Sequence, residues 1–227
     1  MNIVVSGSIA YDYLMRFPGR FREHLIEGKL DRISVSFLVE TLVRERGGSG
    51  ANIAYNLALL GERPILMGTA GSDFAEYKAW LDAHGVDTSA VRVIPDVFTA
   101  SFFANIDTDS NQIGSFFTGA MAYARGYRLA EAVSTRPDLV VVSPNDPVAM
   151  AELVDECCQG EIPFVFDPSQ QVIWLDADFL RHGAERCTLL IVNEYEWEMI
   201  SKKTGLTREQ LVRAGKTLIV THGSSGS

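Results

Sequence analysis

Gly47-Gly48-Ser49-Gly50-Ala51-Asn52 stands directly before an amphipathic stretch that reads as a helix. Glycines there permit positive φ and let a ligand approach the main chain closely. The start of a helix adds unpaired N–H groups and the positive end of a dipole. Asn52 either caps locally or points its amide at a ligand. A loop leading into a helix has the same composition, so both readings stay open. The cluster is not a P-loop, because no Gly-Lys-Ser/Thr follows, and its spacing is wrong for a dinucleotide fingerprint.

Other residues with chemical potential fall at the ends of apolar runs. Asp12 follows Ile3–Ser6, and the carboxyl ends of strands are where open α/β sheets bind ligands. An ionised carboxylate there accepts two hydroxyl hydrogen bonds; a turn or cap residue is the alternative. Asn193 and Glu196 have the spacing of a capping box. Thr221 to Gly226 follows Leu218-Ile219-Val220 and offers consecutive N–H groups with a hydroxyl, an anion cradle or a polar tail. Asp167-Pro168-Ser169-Gln170-Gln171 and Ser143-Pro144-Asn145-Asp146 also end strands, the latter reading equally well as a turn into a helix.

The elements that must position these residues alternate. Strands are predicted at 3–6, 64–68, 139–143, 163–166, 189–192 and 218–221. Helices are predicted at 51–60, 74–84, 147–158, 195–204 and 208–214. Gly61, Gly85 and Gly205 close helices, and Pro147 opens one. Alternation with nearly continuous apolar strands indicates a mostly parallel sheet covered on both faces. Two segments depart from it. Residues 12–45 are mixed in pattern. Residues 98–117 read as a hairpin turning at Asp107-Thr108-Asp109-Ser110-Asn111. Its Phe102, Phe103, Ile106, Ile113, Phe116 and Phe117 put apolar groups on both faces, so two surfaces must cover them: a lid, or an extra piece of the main core.

Twenty basic and 29 acidic residues give a net charge of −9, which argues against binding a nucleic-acid backbone. No apolar run is long enough to cross a bilayer. The N-terminus lacks a basic region and reads as a buried strand, so a cytoplasmic location is expected. Cys157, Cys158 and Cys187 lack metal-ligand spacing and read as small reduced core residues.

The run from Gly47 to Ala54, then six residues to Gly61 and nine to Gly71, resembles the N-terminal signature of ribokinase-family (phosphofructokinase-B type) kinases. Gly7-Ser8-Ile9-Ala10-Tyr11-Asp12 resembles the family's first strand and substrate-binding aspartate. Gly71-Ser72-Asp73 resembles its Gly-x-Asp turn, Asn193–Glu196 its Asn-x-x-Glu motif, and Thr221–Gly226 its nucleotide loop. The resemblance implies a single ribokinase-like α/β domain over 1–227, with lid segments at about 12–45 and 96–120. It implies acceptor-binding roles for Ser8, Asp12, Gly47, Gly48, Asn52, Phe103, Phe117 and Gln170. ATP would be held by Asn193, Thr221, Gly223 and Gly226, and Mg2+ by Glu196, hard-oxygen work suited to a carboxylate. The Gln170-Gln171 form is similar to the adenosine-kinase-like branch. A nucleoside acceptor, adenosine first, is therefore expected. A ribose- or fructose-type sugar kinase and a non-catalytic nucleoside- or sugar-binding module are the alternatives. Two copies pairing through the lid would be family-like.

The resemblance also implies a Gly-Ala-Gly-Asp segment carrying the catalytic base and an anion hole. No such segment occurs in residues 1–227, so it is expected beyond Ser227 and no catalytic residue is assigned within the chain. Phosphoryl transfer rests on positioning and charge stabilisation around the transferring group, so the chain alone is expected to be incomplete and inactive.

Overall fold

The computed structural model describes residues 1–25 and 34–227, so part of the 12–45 segment lies outside the described residues. The main sheet is entirely parallel. It is built from β1 (Ile3–Ser6), β4 (Ile65–Ala70), β5 (Val91–Val93), β8 (Leu139–Val142), β9 (Phe164–Phe166), β10 (Leu189–Asn193) and β11 (Thr217–Thr221). Their spatial order is β11-β10-β9-β8-β1-β4-β5. β1 therefore has β4 on one side and β8 on the other, and the winding reverses there. A crevice opens at the carboxyl ends of strands at such a reversal.

Residues of β1 alternate between two cores. Val4 joins Val140, Val142, Phe164, Phe166 and Leu190 on one face. Val5 joins Leu66, Ala51, Ala54, Phe74 and Tyr77 on the other. With both faces covered, each of the buried Val, Leu and Phe side chains among them contributes about 1.5–3 kcal/mol by burial. This is the doubly covered α/β sheet expected from the apolar runs. Cys157 and Cys187 are buried in the first core.

The principal helices are α2 (Ser49–Leu59), α3 (Ala75–Ala83), α5 (Pro147–Gln159), α6 (Ala177–Arg186), α7 (Glu194–Thr204) and α8 (Arg208–Arg213). The short α1 (Phe21–His24) and α4 (Leu129–Ala132) complete the set among the described residues. Gly61, Gly85 and Gly205 all adopt positive φ just beyond α2, α3 and α7. α6 has no counterpart among the sequence-based elements. Its Gly183 interrupts the apolar pattern because a Cβ there would come within 2.6 Å of the Phe166 ring.

The second sheet has the order β3-β2-β6-β7, from Thr41–Gly47, Ala10–Arg16, Ala100–Ile106 and Gln112–Phe117. The hairpin is present, its turn organised by Asp107, whose carboxylate accepts from the N–H groups of Asp109 and Asn111. β3 escaped the sequence reading because it is exposed along its length up to Gly47, and β2 because it grades from buried Ala10 and Tyr11 to exposed Arg16; neither shows the alternation that marks a strand.

Arg44 and Arg46 of β3 reach α3 and pair with Glu76 at 2.6 and 3.0 Å. The root of β6 is tied down by the Gly71-Ser72-Asp73 turn: Asp73 accepts from the Thr99 N–H and hydroxyl at 2.8 and 2.6 Å. A Cβ on Gly71 would meet the Thr99 nitrogen at 2.2 Å, so only glycine allows this approach.

Candidate active site

A cavity of about 500 Å³ lies over the carboxyl ends of β1, β8 and β9, bordered by the smaller sheet. Its walls include Ser8, Asp12, Gly48, Ser49 and Asn52. Phe102 and Phe116 line it from the smaller sheet, and Pro144, Ser169, Gln170, Gln171 and Trp174 from the main sheet. Volume and mixed lining suit a small polar molecule with a flat apolar part.

Glycine contacts set the geometry. α2 begins against the exit of β1, where a Cβ on Gly50 would be 2.7 Å from the Gly7 Cα. Gly48 has φ +92, and a Cβ there would sit 2.5 Å from the Ser8 carbonyl oxygen. Gly47 leaves room for the Asp12 carboxylate, which a Cβ would approach to 2.5 Å, and its own carbonyl accepts from the buried Tyr77 hydroxyl at 3.0 Å.

One expectation needs correcting. The N–H groups at the start of α2 are not free for a ligand, because Ser8 takes them. Its hydroxyl accepts from Ser49 at 2.9 Å, and its carbonyl accepts from Gly50 and Ala51 at 3.1 and 3.3 Å. The glycine cluster shapes the wall of the cavity by close packing, and Ser8 is in part a remote cap for α2.

Asp12 is also placed differently from the sequence reading. It stands within β2 of the smaller sheet, opposite Glu45 on β3 and beside Phe102 on β6. It is half-buried, and no hydrogen-bond partner for its carboxylate occurs among the described residues. Burial, with the nearby Glu45 charge second, holds its carboxyl above the ordinary value. A desolvated, unpartnered carboxylate on a cavity wall is a ready acceptor for hydroxyl donors.

Phe103 and Phe117 do not reach the cavity. Pairing across β6 and β7 puts Phe102 opposite Phe116 and Phe103 opposite Ser115. Strand alternation then sends Phe102 and Phe116 toward Asp12, and Phe103 and Phe117 to the other face, where Phe103 stacks on Tyr13 at 4.8 Å. Both aromatic positions were therefore one residue off. Nothing local marks which face of a doubly apolar hairpin turns inward.

Gln170 lines the cavity as expected, and its neighbour Gln171, which donates to the Asn145 carbonyl at 2.9 Å, does too. Asp146 caps α5, accepting from Val148 and Ala149, so Ser143–Asp146 is chiefly a turn into a helix, with Pro144 on the cavity wall. Trp174, Met121 and Ser49 were missed as lining residues; Ser49 lies inside the glycine cluster, but Trp174 and Met121 belong to no recognisable local pattern.

Further along the same edge, Asn193 and Thr221 are register partners on β10 and β11. Asn193 and Glu196 form a reciprocal capping box, each contact 2.8 Å. Glu196 is buried, and its charge is the second cause, after burial, that pushes the Asp167 carboxyl up to about 6. Gly223 and Gly226 take positive φ around a tight turn after β11, and the His222 N–H bonds to the Gly226 carbonyl at 2.7 Å. These residues stand apart from the cavity but on the same side of the sheet. Glu196 offers a carboxylate near Asp167, one oxygen of which is taken by the Asn193 N–H, and no cluster of three or more His, Cys, Asp or Glu side chains occurs among the described residues.

Ser227 follows this turn directly and is exposed. Among the described residues none is assigned the role of catalytic base. What the described residues build is the cavity and the strand-end turns beside it.

The chain belongs to the pfkB family of carbohydrate kinases, whose family model matches residues 8–227. It is 27% identical over 235 residues to a nucleoside kinase of Methanothermobacter thermautotrophicus, an alignment covering 100% of this chain and 71% of that protein. Among solved structures it is similar to the nucleoside kinase of Burkholderia thailandensis in complex with inosine. That match has 39% identity and a TM-score of 0.82, covering 97% of this chain and 70% of that one. The nucleoside kinase of Methanocaldococcus jannaschii shares the fold, at 23% identity and a TM-score of 0.84, over 99% and 71% of the two chains. The ribokinase-like α/β fold and the kinase class expected from the motifs are thus both borne out. Among the described residues no helix is long and apolar enough to cross a membrane.

Proposed function

We propose that the cavity binds a nucleoside, adenosine first, for transfer of the ATP γ-phosphoryl group to its hydroxymethyl oxygen. The observation that carries this reading is the pairing of the unpartnered Asp12 carboxylate with the Phe102 and Phe116 rings on one face of the smaller sheet. Asp12 would accept the two ribose hydroxyls, and the rings would cover the base. The smaller sheet then acts as a lid over the acceptor and keeps water from the transferring group.

Asn193, Thr221, Gly223 and Gly226 would hold the nucleotide phosphates at the ends of β10 and β11, with Glu196 as the Mg2+ ligand. When bound, Mg2+ neutralises charge on the phosphates. The residues of this chain orient the acceptor, exclude water and place the two substrates along one sheet edge. Ser8 and Asn52 complete the polar wall beside Asp12.

The opposite face of the lid presents Leu42, Phe103, Ile113 and Phe117, all exposed. Its apolar character supports the expectation that two copies pair lid to lid; sedimentation of Phe103→Asp against the unaltered protein tests it.

Calorimetric titration of this chain with adenosine and with ribose, joined to a coupled ADP-release assay with Mg-ATP on a protein that also carries the Gly-Ala-Gly-Asp segment, tests the function. Tighter binding of adenosine and ADP release dependent on it are expected. Stronger binding of ribose would move the reading to a sugar kinase, and absence of binding by every nucleoside and sugar would end it.

A further inference from the structure

The turn that follows β9 is held in an unusual way. Residues Ser169–Ile173 form a short 3₁₀ helix that starts with Ser169 at φ +43, and Trp174 follows at its end. Val172 and Leu175 are buried in the core on either side of Ile173 and Trp174. The ammonium of Lys203, near the end of α7, donates to the carbonyls of Val172, Ile173 and Leu175 at 2.7, 2.9 and 2.8 Å. All three of its donors are thus used on one turn, and it makes no carboxylate pair among the described residues. A cation against converging carbonyls suits the negative end of a helical turn.

What this anchoring presents is Trp174. The indole is 78% exposed at the cavity rim, while its backbone is pinned from both sides. Gln170 and Gln171 line the cavity from the same turn. An exposed tryptophan on a backbone so firmly held gains its full burial only when a flat ligand covers it. A nucleobase offers it a larger and flatter face than ribose does.

Resting on the nucleoside reading, we propose that the 169–175 turn is the base-selecting element of the acceptor site. Trp174 is its stacking surface, lining the same cavity as Phe102 and Phe116, and Lys203 is the positioning residue that holds the turn in place. α7 then links the two substrates: its first turn carries Asn193 and Glu196, and its last turn sets the base-facing loop.

Calorimetry of the protein and of Trp174→Ala, Lys203→Met and Lys203→Arg, each titrated with adenosine and with ribose, tests this. Loss of one base-stacking partner predicts about tenfold weaker adenosine binding in Trp174→Ala. Lys203→Met should show a similar loss, Lys203→Arg should recover most of it, and ribose affinity should stay within about twofold throughout. A purely structural lysine would instead weaken both ligands alike. An adenosine-to-ribose ratio unchanged in Trp174→Ala overturns the proposal even if Lys203→Met fails to fold, because so exposed a side chain can be removed without disturbing the core. Normal adenosine binding with an unaltered ratio would leave the nucleoside reading standing and remove only this inference; failure of the unaltered protein to bind adenosine would remove both.

Discussion

Replacing Asp167 by Asn should stabilise the protein, and by an amount that depends on pH. Asp167 is partly buried at the end of β9, facing the Glu196 charge, and its carboxyl is pushed from an ordinary 3.8 up to about 6. A raised carboxyl means that the folded state holds the proton more tightly than the unfolded chain. The group therefore costs nothing below the unfolded value, and its penalty grows as pH rises from 3.8 to about 6, with no further growth above. A rise of that size corresponds to about 3 kcal/mol. Asn keeps an oxygen to accept the Ser169 backbone N–H and adds an amide that can donate toward Glu196, so little of the gain should be lost to an unpaired group. For a chain of this length each kcal/mol moves the melting temperature by about 2–4 °C. Thermal melts of both proteins in metal-free buffer with a chelator, from about pH 4 to about pH 8, should therefore nearly coincide at the acidic end. They should separate by roughly 6–12 °C at the neutral end. A gain equal at both ends, or a loss at neutral pH, would refute the assignment of the strain to a buried charge.

Asp12→Asn should weaken acceptor binding about tenfold or more while leaving ATP affinity nearly unchanged, because a neutral amide loses the charge-assisted hydroxyl bonds; parallel titrations with each ligand check it. Since its carboxyl is already raised, acceptor affinity should begin to fall, as pH is lowered, at a higher pH than for an ordinary aspartate. Gly48→Ala should cost about 1–3 kcal/mol from backbone strain alone, and more from the contact with the Ser8 carbonyl, and should distort the cavity; denaturant melts and acceptor titration together report it. Tyr77→Phe removes the side-chain donor to the Gly47 carbonyl and should cost about 1–3 kcal/mol in the same melts.

Much of the architecture is written locally. Apolar runs such as Leu139–Val142 and Leu189–Val192 are continuous because both faces of a parallel sheet are covered, and Gly61, Gly85 and Gly205 end helices because only glycine takes positive φ without cost. Asn193 and Glu196 could be paired on spacing alone, since a capping box closes within a single turn. The motifs along the chain were enough to resemble a kinase, because most of them follow the carboxyl ends of parallel strands and so fall on one side of the main sheet.

The lining of the site was decided elsewhere. Which of Phe102 and Phe103 turns inward depends on the register with Phe116 across the hairpin and with Asp12 across β2, and a shift of one residue would exchange them. Ser8 consumes the N–H groups of α2 from 41 residues away, and Lys203 grips carbonyls about 30 residues before it. Local spacing determines what short-range hydrogen bonds and the side-chain period can encode. The choice of partner between distant segments belongs to the packed sheet, which alone brings Asp12, Phe102, Gln170 and Trp174 to one cavity.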